Sequence, residues 1–139
     1  MPKGSLGDTL TLSGLDNSKV EVTVSKTKRL PKLSESGYEI HPALYGVYIT
    51  IKNVSDTPYT DYAGALALVD EADSTYENPQ TYNDLPDQLT QLRIAPGDKR
   101  SDWVYYEVPE SRTPRLAQFT ANSMNVDYSQ TQVGEWELE

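Results

Sequence analysis

Two stretches of this 139-residue sequence decide the fold: YGVYITIKNVSDTPYT at residues 45–60 and IAPGDKRSDWVYYEVP at residues 94–109. In the first, apolar side chains alternate with polar or opposite-facing ones over Leu44–Val54, which is the period of a β-strand. The segment NVSDTP that follows is typical of a turn, because Asn, Ser and Asp bond their own backbone and proline fixes φ. In the second, the tight turn APGD precedes alternation over Lys99–Val108. Each stretch therefore predicts a long strand beside a turn.

The same period of two recurs along the chain, and we find no stripe of apolar residues at helical spacing. Further strands are predicted at Gly7–Leu12, Lys19–Lys28, Gly64–Asp70, Thr75–Glu77, Arg115–Thr120 and Glu135–Leu138. Seven or eight strands joined by short connections predict an all-β, antiparallel sandwich or barrel. The length is near the commonest domain size, so we expect residues 1–139 to form a single domain.

Composition narrows the classes of partner. Twenty-one acidic residues against twelve basic ones give a net charge of −9, which disfavours binding to nucleic acid or anionic lipid. No apolar run approaches the roughly 18 residues of a transmembrane helix, so we expect no direct membrane insertion. The opening MPKG does not begin a signal peptide. This leaves open a cytoplasmic protein or a chain from which an export signal has been removed.

The order of the segments is more specific than any one of them. It runs GDTLTL, VEVTVSK, ITIKNVSDTPYT, ALALVD, PGDKRSDWVYYEVP, PRLAQFT and a closing WEL. This order resembles an immunoglobulin-like domain of unknown function in secreted lipoproteins of Gram-positive bacteria, similar to the mycobacterial immunoprotective extracellular antigen. The resemblance implies one immunoglobulin-like β-sandwich over 1–139, with its core at about 7–138, and an extracytoplasmic, secreted or cell-surface location. It implies no catalytic residues.

Signals for catalysis are weak. His41 is the single histidine, and no G-x-S-x-G segment accompanies it. There is no cysteine to act as a nucleophile and no glycine-rich phosphate loop. Carboxylate pairs are abundant, but abundance makes chance neighbours inevitable. We therefore predict that the protein is not an enzyme.

Hard oxygen ligands occur in two turns, which suits Ca²⁺ better than any other cofactor. The candidate ligands are Asp70, Asp73 and Glu77 in one hairpin, and Asp84 and Asp87 in the loop that follows. Neither segment has EF-hand spacing, and a solvated acidic hairpin is the favoured explanation of the first. Calcium is the one cofactor that the sequence leaves open.

Aromatic residues indicate a binding surface. Trp103 and Tyr105 fall on the face of their strand opposite to Val104 and Tyr106, and Tyr48 falls on the corresponding face of its own strand. If the strands are neighbours, the three rings would form an exposed platform for a sugar or a protein. The alternative is that a loop or a neighbouring chain's sheet covers Trp103. Tyr45, Tyr106 and Trp136 are expected in the core.

These observations predict a non-catalytic, extracytoplasmic binding or accessory module of unknown ligand. A protein partner is the leading hypothesis. The alternative is a carbohydrate or cell-wall glycan bound on the aromatic platform.

Overall fold

A computed structural model describes residues 1–32, 42–82, 85, 87–123 and 131–138 of the chain. Regular structure in these residues consists of eleven β-strands and two single 3-10 turns, at Leu15–Asn17 and Ala63–Ala65. The strands are β1 Lys3–Ser5, β2 Thr9–Ser13, β3 Lys19–Leu30, β4 Leu44–Asn53, β5 Tyr59–Tyr62, β6 Leu66–Asp70, β7 Thr75–Tyr76, β8 Gln91–Ile94, β9 Lys99–Glu107, β10 Pro114–Thr120 and β11 Val133–Glu137. In the described part of the chain no helix is long and apolar enough to cross a membrane.

The strands form two main sheets. One has the order β2-β3-β4-β9, and the other has the order β1-β11-β10-β6-β7. A separate ribbon pairs β5 with β8. All pairings are antiparallel except that of β1 with β11. The all-β sandwich predicted from the sequence is confirmed.

The strand count exceeds the seven or eight that were predicted, because β1, β5 and β8 were not expected. Each of these strands has only three or four residues. The β5–β8 ribbon does alternate, since it buries Tyr59 and Asp61 on one strand and Leu92 and Ile94 on the other. Four residues of alternation, however, do not stand out from the turns and polar loops on either side.

The core lies between the sheets and contains one face of each long strand. Val20, Val22 and Val24 of β3 and the alternate residues Val47, Ile49 and Ile51 of β4 are all at most 1% exposed. The second sheet contributes aliphatic and aromatic side chains that close the same cluster: Leu66, Leu68, Ala117, Phe119 and Trp136. Tyr45 and Tyr106 also belong to this cluster, so their predicted core positions and that of Trp136 are confirmed.

Candidate functional surfaces

The predicted aromatic residues do meet on the outer face of the β3–β4–β9 sheet. The register pairs Tyr48 with Trp103, which brings their ring centroids to 5.2 Å in an edge-to-face arrangement. The rings of Trp103 and Tyr105 lie 6.2 Å apart and nearly parallel. Antiparallel pairing of β4 and β9 therefore assembles the three rings in one row.

The expectation of an exposed platform of three rings is wrong for Tyr105, because its side chain is only 1% exposed. Its ring packs over Gly46 on β4, where an added Cβ would come within 2.8 Å of the ring carbon Cε1. The missing side chain at Gly46 makes room for the ring to lie down against the sheet. Tyr48 and Trp103 remain half-buried.

Two lysines lie on these rings. The Lys26 ammonium is 4.7 Å from the Tyr48 centroid, and the Lys28 ammonium is 4.1 Å from the Trp103 centroid. Such contacts contribute about 0.5–1 kcal/mol each at exposed sites. The rings therefore carry positive charge on their outer side instead of presenting bare faces.

A β-bulge in β3 puts the lysines there. The register shifts between Val24 and Lys26, so that Val24 lies opposite Ile49 whereas Lys26 lies opposite Tyr48. An uninterrupted period of two would place Lys26 and Lys28 on the core face with Val24. The extra residue of the bulge reverses that alternation and turns both lysines outward.

The same sheet face extends to a second pair of lysines. Lys52 and Lys99 lie opposite each other at the far end of β4 and β9, on the side of Tyr48 and Trp103, and both are exposed. We call this surface the lysine–aromatic face. It consists of Lys26, Lys28, Tyr48, Lys52, Lys99 and Trp103.

The loop that precedes β8 runs along the open edge of β9. Trp103 donates its backbone N–H to the Asp87 carbonyl at 2.8 Å, and its carbonyl accepts the Leu89 N–H at the same distance. Gln80 pairs with Tyr105 in the same way, through an N–H···O bond of 2.8 Å. The loop thus covers the strand edge at Trp103, and the ring remains half-buried.

Two of the hairpin acids predicted as calcium ligands, Asp70 and Asp73, bond to other groups of the protein. The buried Asp70 carboxylate accepts hydrogen bonds from the Ala72 and Ser74 N–H groups and from the Tyr76 hydroxyl, at 2.7–3.0 Å. Asp73 pairs with Arg115 at 2.7 Å. Desolvation acts to raise the pKa of Asp70, but these hydrogen bonds outweigh it and the net pKa is lowered. The pKa of Tyr76 rises to about 12, through desolvation and its bond to Asp70.

The structure therefore does not gather the hairpin acids into a metal site. Within the described residues no three Asp, Glu or His side chains are close enough to hold an ion. Asp87 is exposed with a positive φ of 55°, and Glu77 is exposed and lines two surface cavities. Asp84 and His41 lie outside the described residues, so calcium binding that uses Asp84 stays a prediction.

We expect Asp70→Ala to lower the melting temperature by the same amount in millimolar Ca²⁺ and in chelator. The reason is that Asp70 stabilises the hairpin by accepting internal hydrogen bonds and not by binding an ion. Differential scanning calorimetry of the variant and the wild type in the two buffers measures this. A calcium-dependent rise in melting temperature that the wild type shows and Asp70→Ala lacks would contradict it.

A different aromatic residue, Tyr62 at the end of β5, is the exposed one. Its side chain is 42% exposed, and among the described aromatic residues it is the one found as a large exposed ring. Two cavities of about 570 and 470 Å³ share the lining residues Tyr62, Gly64, Glu77 and Asn78. We call these joined cavities the Tyr62 groove. Sequence reasoning missed it, although the alternation of β5 places Tyr62 opposite the buried face of Tyr59.

Beneath this ribbon lies a buried polar network. Asp61 is 1% exposed and accepts hydrogen bonds from the Tyr59 hydroxyl and from the Ser123 hydroxyl, the latter at 2.5 Å. Asn122 donates its N–H to Tyr59 at 3.0 Å and accepts the Leu15 N–H at 2.9 Å. Desolvation raises the pKa of Asp61 above its usual value, against the lowering effect of its hydrogen bonds. Burial and the neighbouring Asp61 also raise the pKa of Tyr59.

Residues 13–133 match the family described as a domain of unknown function, DUF4352. The chain belongs to the DUF4352 family. The match spans β3 to β10, and so it includes both the lysine–aromatic face and the Tyr62 groove. No curated protein matches this chain.

Solved structures share the DUF4352 chain's fold. The secreted protein MPT63 of Mycobacterium tuberculosis matches with a TM-score of 0.72 at 16% identity, covering 99% of this chain and 98% of that one. Bacillus subtilis yjhA matches with a TM-score of 0.68 at 14% identity, covering 96% and 99%. Bacillus subtilis ycdA, a candidate lipoprotein, matches with a TM-score of 0.61 at 12% identity, covering 85% of this chain and 36% of that one. The resemblance inferred from the sequence is confirmed.

Proposed function

We propose that this chain is a non-catalytic, extracytoplasmic binding module of one domain, residues 1–139, that recognises an acidic protein partner. The observation that carries the proposal is the lysine–aromatic face, on which two ammonium groups lie over a row of rings. Similarity to a secreted protein and to a candidate lipoprotein supports the extracytoplasmic location. The internal bonding of Asp61 and Asp70 supports a role without catalysis.

The charge distribution selects the partner's chemistry. The chain carries a net charge of −9, yet this face holds four lysines, Lys26, Lys28, Lys52 and Lys99, against Glu21, which lies opposite Lys52. A positive patch on a negative protein attracts an acidic surface in one orientation and repels it in others. Trp103 at its centre lies under both the Lys26 and the Lys28 ammonium groups, so the ring supports the charges that an acidic partner would contact.

A sugar is a poorer ligand for this face. Stacking of a sugar on Tyr48 or Trp103 requires a bare ring surface, and Lys26 and Lys28 occupy those surfaces. Displacing both lysines would forfeit their ring contacts. An acidic side chain instead binds the ammonium groups where they already lie.

Charge reversal tests the proposal. We expect Lys26→Glu combined with Lys28→Glu to weaken capture of an envelope partner by about tenfold or more, because like charges then face each other across the interface. Wild-type binding should also weaken as salt rises, because the charges are exposed. Surface plasmon resonance with the captured and identified partner measures both effects.

The matched control changes the net charge by the same amount elsewhere. Lys3→Glu combined with Arg93→Glu alters exposed cations on β1 and β8, away from the lysine–aromatic face. This variant should bind like the wild type. Equal losses in the two double variants, or binding that is insensitive to salt, would refute a role for the face.

A further inference from the structure

The Tyr62 groove has a rigid aromatic residue at its centre. The Tyr62 ring lies against Gly64, where an added Cβ would come within 2.4 Å of ring carbon Cε2. The Tyr62 N–H also donates to the Asp61 carboxylate at 3.1 Å, which fixes the backbone that carries the ring. The ring is therefore exposed and supported by the Gly64 backbone, and this support lowers the entropic cost of ordering it on binding.

Polar side chains flank the ring on both sides. One cavity is lined by Asn78, Gln80 and Gln91, and the other by Gln118 and Thr120. A carboxamide donates and accepts hydrogen bonds at the same time, as each sugar hydroxyl does. No hydrogen bond to another described residue engages the side chains of Asn78 and Gln91, so their amide groups are available to a ligand.

The charge and size of the groove restrict the ligand further. Glu77 is the one charged side chain among the described lining residues, so the groove disfavours phosphate, sulfate and other anionic groups. Each cavity lies within the range of about 300–1,000 Å³ that is typical of small-molecule sites. Since Tyr62 lines both cavities, a ligand longer than one sugar ring could contact Tyr62 and extend from one cavity toward the other.

We propose that the Tyr62 groove binds an uncharged carbohydrate chain, built of hexose or N-acetylhexosamine units. One ring of the sugar stacks on Tyr62, and its hydroxyl or acetamido groups hydrogen-bond with the amides of Asn78 and Gln91. The Gln118 amide N–H already donates to Glu135 at 2.9 Å, so Gln118 offers its carbonyl oxygen. This site lies on elements other than the lysine–aromatic face, so the two surfaces can act independently.

Isothermal titration calorimetry with chitohexaose and cellohexaose tests the proposal. We expect saturable binding of at least one hexasaccharide to the wild type, weakened about tenfold in Tyr62→Ala, which is the size of effect of an aromatic contact. Gly64→Ala should also weaken binding, because it displaces the ring without removing it. Tyr62→Phe should retain the stacking and most of the affinity.

Control variants test whether a loss of binding is specific to the Tyr62 groove. Val54→Ala removes a similarly exposed apolar side chain elsewhere and should bind like the wild type, as should the Lys26→Glu, Lys28→Glu variant of the other face. If Tyr62→Ala fails to fold, the exposed Gln91→Ala carries the same test. No saturable binding of either hexasaccharide at millimolar concentration, or unchanged affinity in Tyr62→Ala and Gln91→Ala, overturns the proposal.

Discussion

Replacement of Trp136 by alanine is expected to lower the free energy of unfolding by about 3–5 kcal/mol. Trp136 is fully buried, and it is among the largest side chains of the core. Its ring lies close to Gly134, beside the Leu12 side chain of β2, so it fills the space between the two sheets. Its indole Nε1–H donates to the Asp8 carbonyl at 2.9 Å. Since small domains unfold at about 5–15 kcal/mol, the loss takes a large share of the total.

Urea denaturation followed by far-UV circular dichroism measures the effect of Trp136→Ala. This backbone signal is suitable because the variant has lost one tryptophan, which would alter a fluorescence signal. Trp136→Phe is the matched control, since it keeps an aromatic ring and loses the hydrogen bond. It should be less destabilising than Trp136→Ala. A cost below about 1 kcal/mol for Trp136→Ala would show that the sheets close without this ring.

Asp61→Ala is expected to destabilise the protein by about 2–4 kcal/mol, because it removes the acceptor of the buried Tyr59 hydroxyl and one hydrogen bond of the half-buried Ser123. The same substitution removes the bond between Asp61 and Ser123 in the turn that follows β10 and leaves the Asn122 N–H bond to Tyr59 as a remaining link. Urea denaturation at neutral pH measures the loss. Asp56→Ala, at an exposed aspartate of the neighbouring turn, is the control and should remain near the wild-type value.

The pH dependence of the Asp61 effect has a defined sign. Because the pKa of Asp61 is raised in the folded state, its protonated form is favoured there. The contribution is fully present below the unfolded pKa of about 3.9 and is lost as pH rises through the folded pKa. The unfolding free energy of the wild type minus that of Asp61→Asn should therefore fall as pH rises from about 4 and then level off. A difference that grows with rising pH would be inconsistent with the raised pKa.

The long strands could be predicted from the sequence because residues of the two sheet faces alternate along their whole length. β4 and β9 alternate over nine or ten residues, and that alternation also placed Tyr48 and Trp103 on the outer face. The burial of Tyr105 could not be read in this way. It depends on Gly46 lying opposite it across the sheet, which is a matter of register between strands far apart in sequence.

The two candidate surfaces depend on local features that the alternation of residues along a strand does not predict. Lys26 and Lys28 reach the outer face only because a bulge shifts the register of β3. Tyr62 lies exposed at the end of β5, where the chain turns at Ala63–Ala65 before β6 and Gly64 leaves space for its ring. A bulge interrupts the period of two and a glycine contributes no side chain, so neither is marked by a periodic signal in the sequence.

The parallel pairing of β1 with β11 has a mechanical consequence. Lys3, Gly4 and Ser5 lie opposite Glu135, Trp136 and Glu137, so the first and last strands run side by side in one direction. The hydrogen bonds of Glu135 N–H to the Pro2 carbonyl and of Leu6 N–H to the Glu137 carbonyl extend this pairing, at 3.0 and 3.1 Å. Tension applied between the two ends of the chain pulls these strands past each other lengthwise. The bonds then share the load in shear and must yield together, whereas an antiparallel terminal pair would peel open one bond at a time.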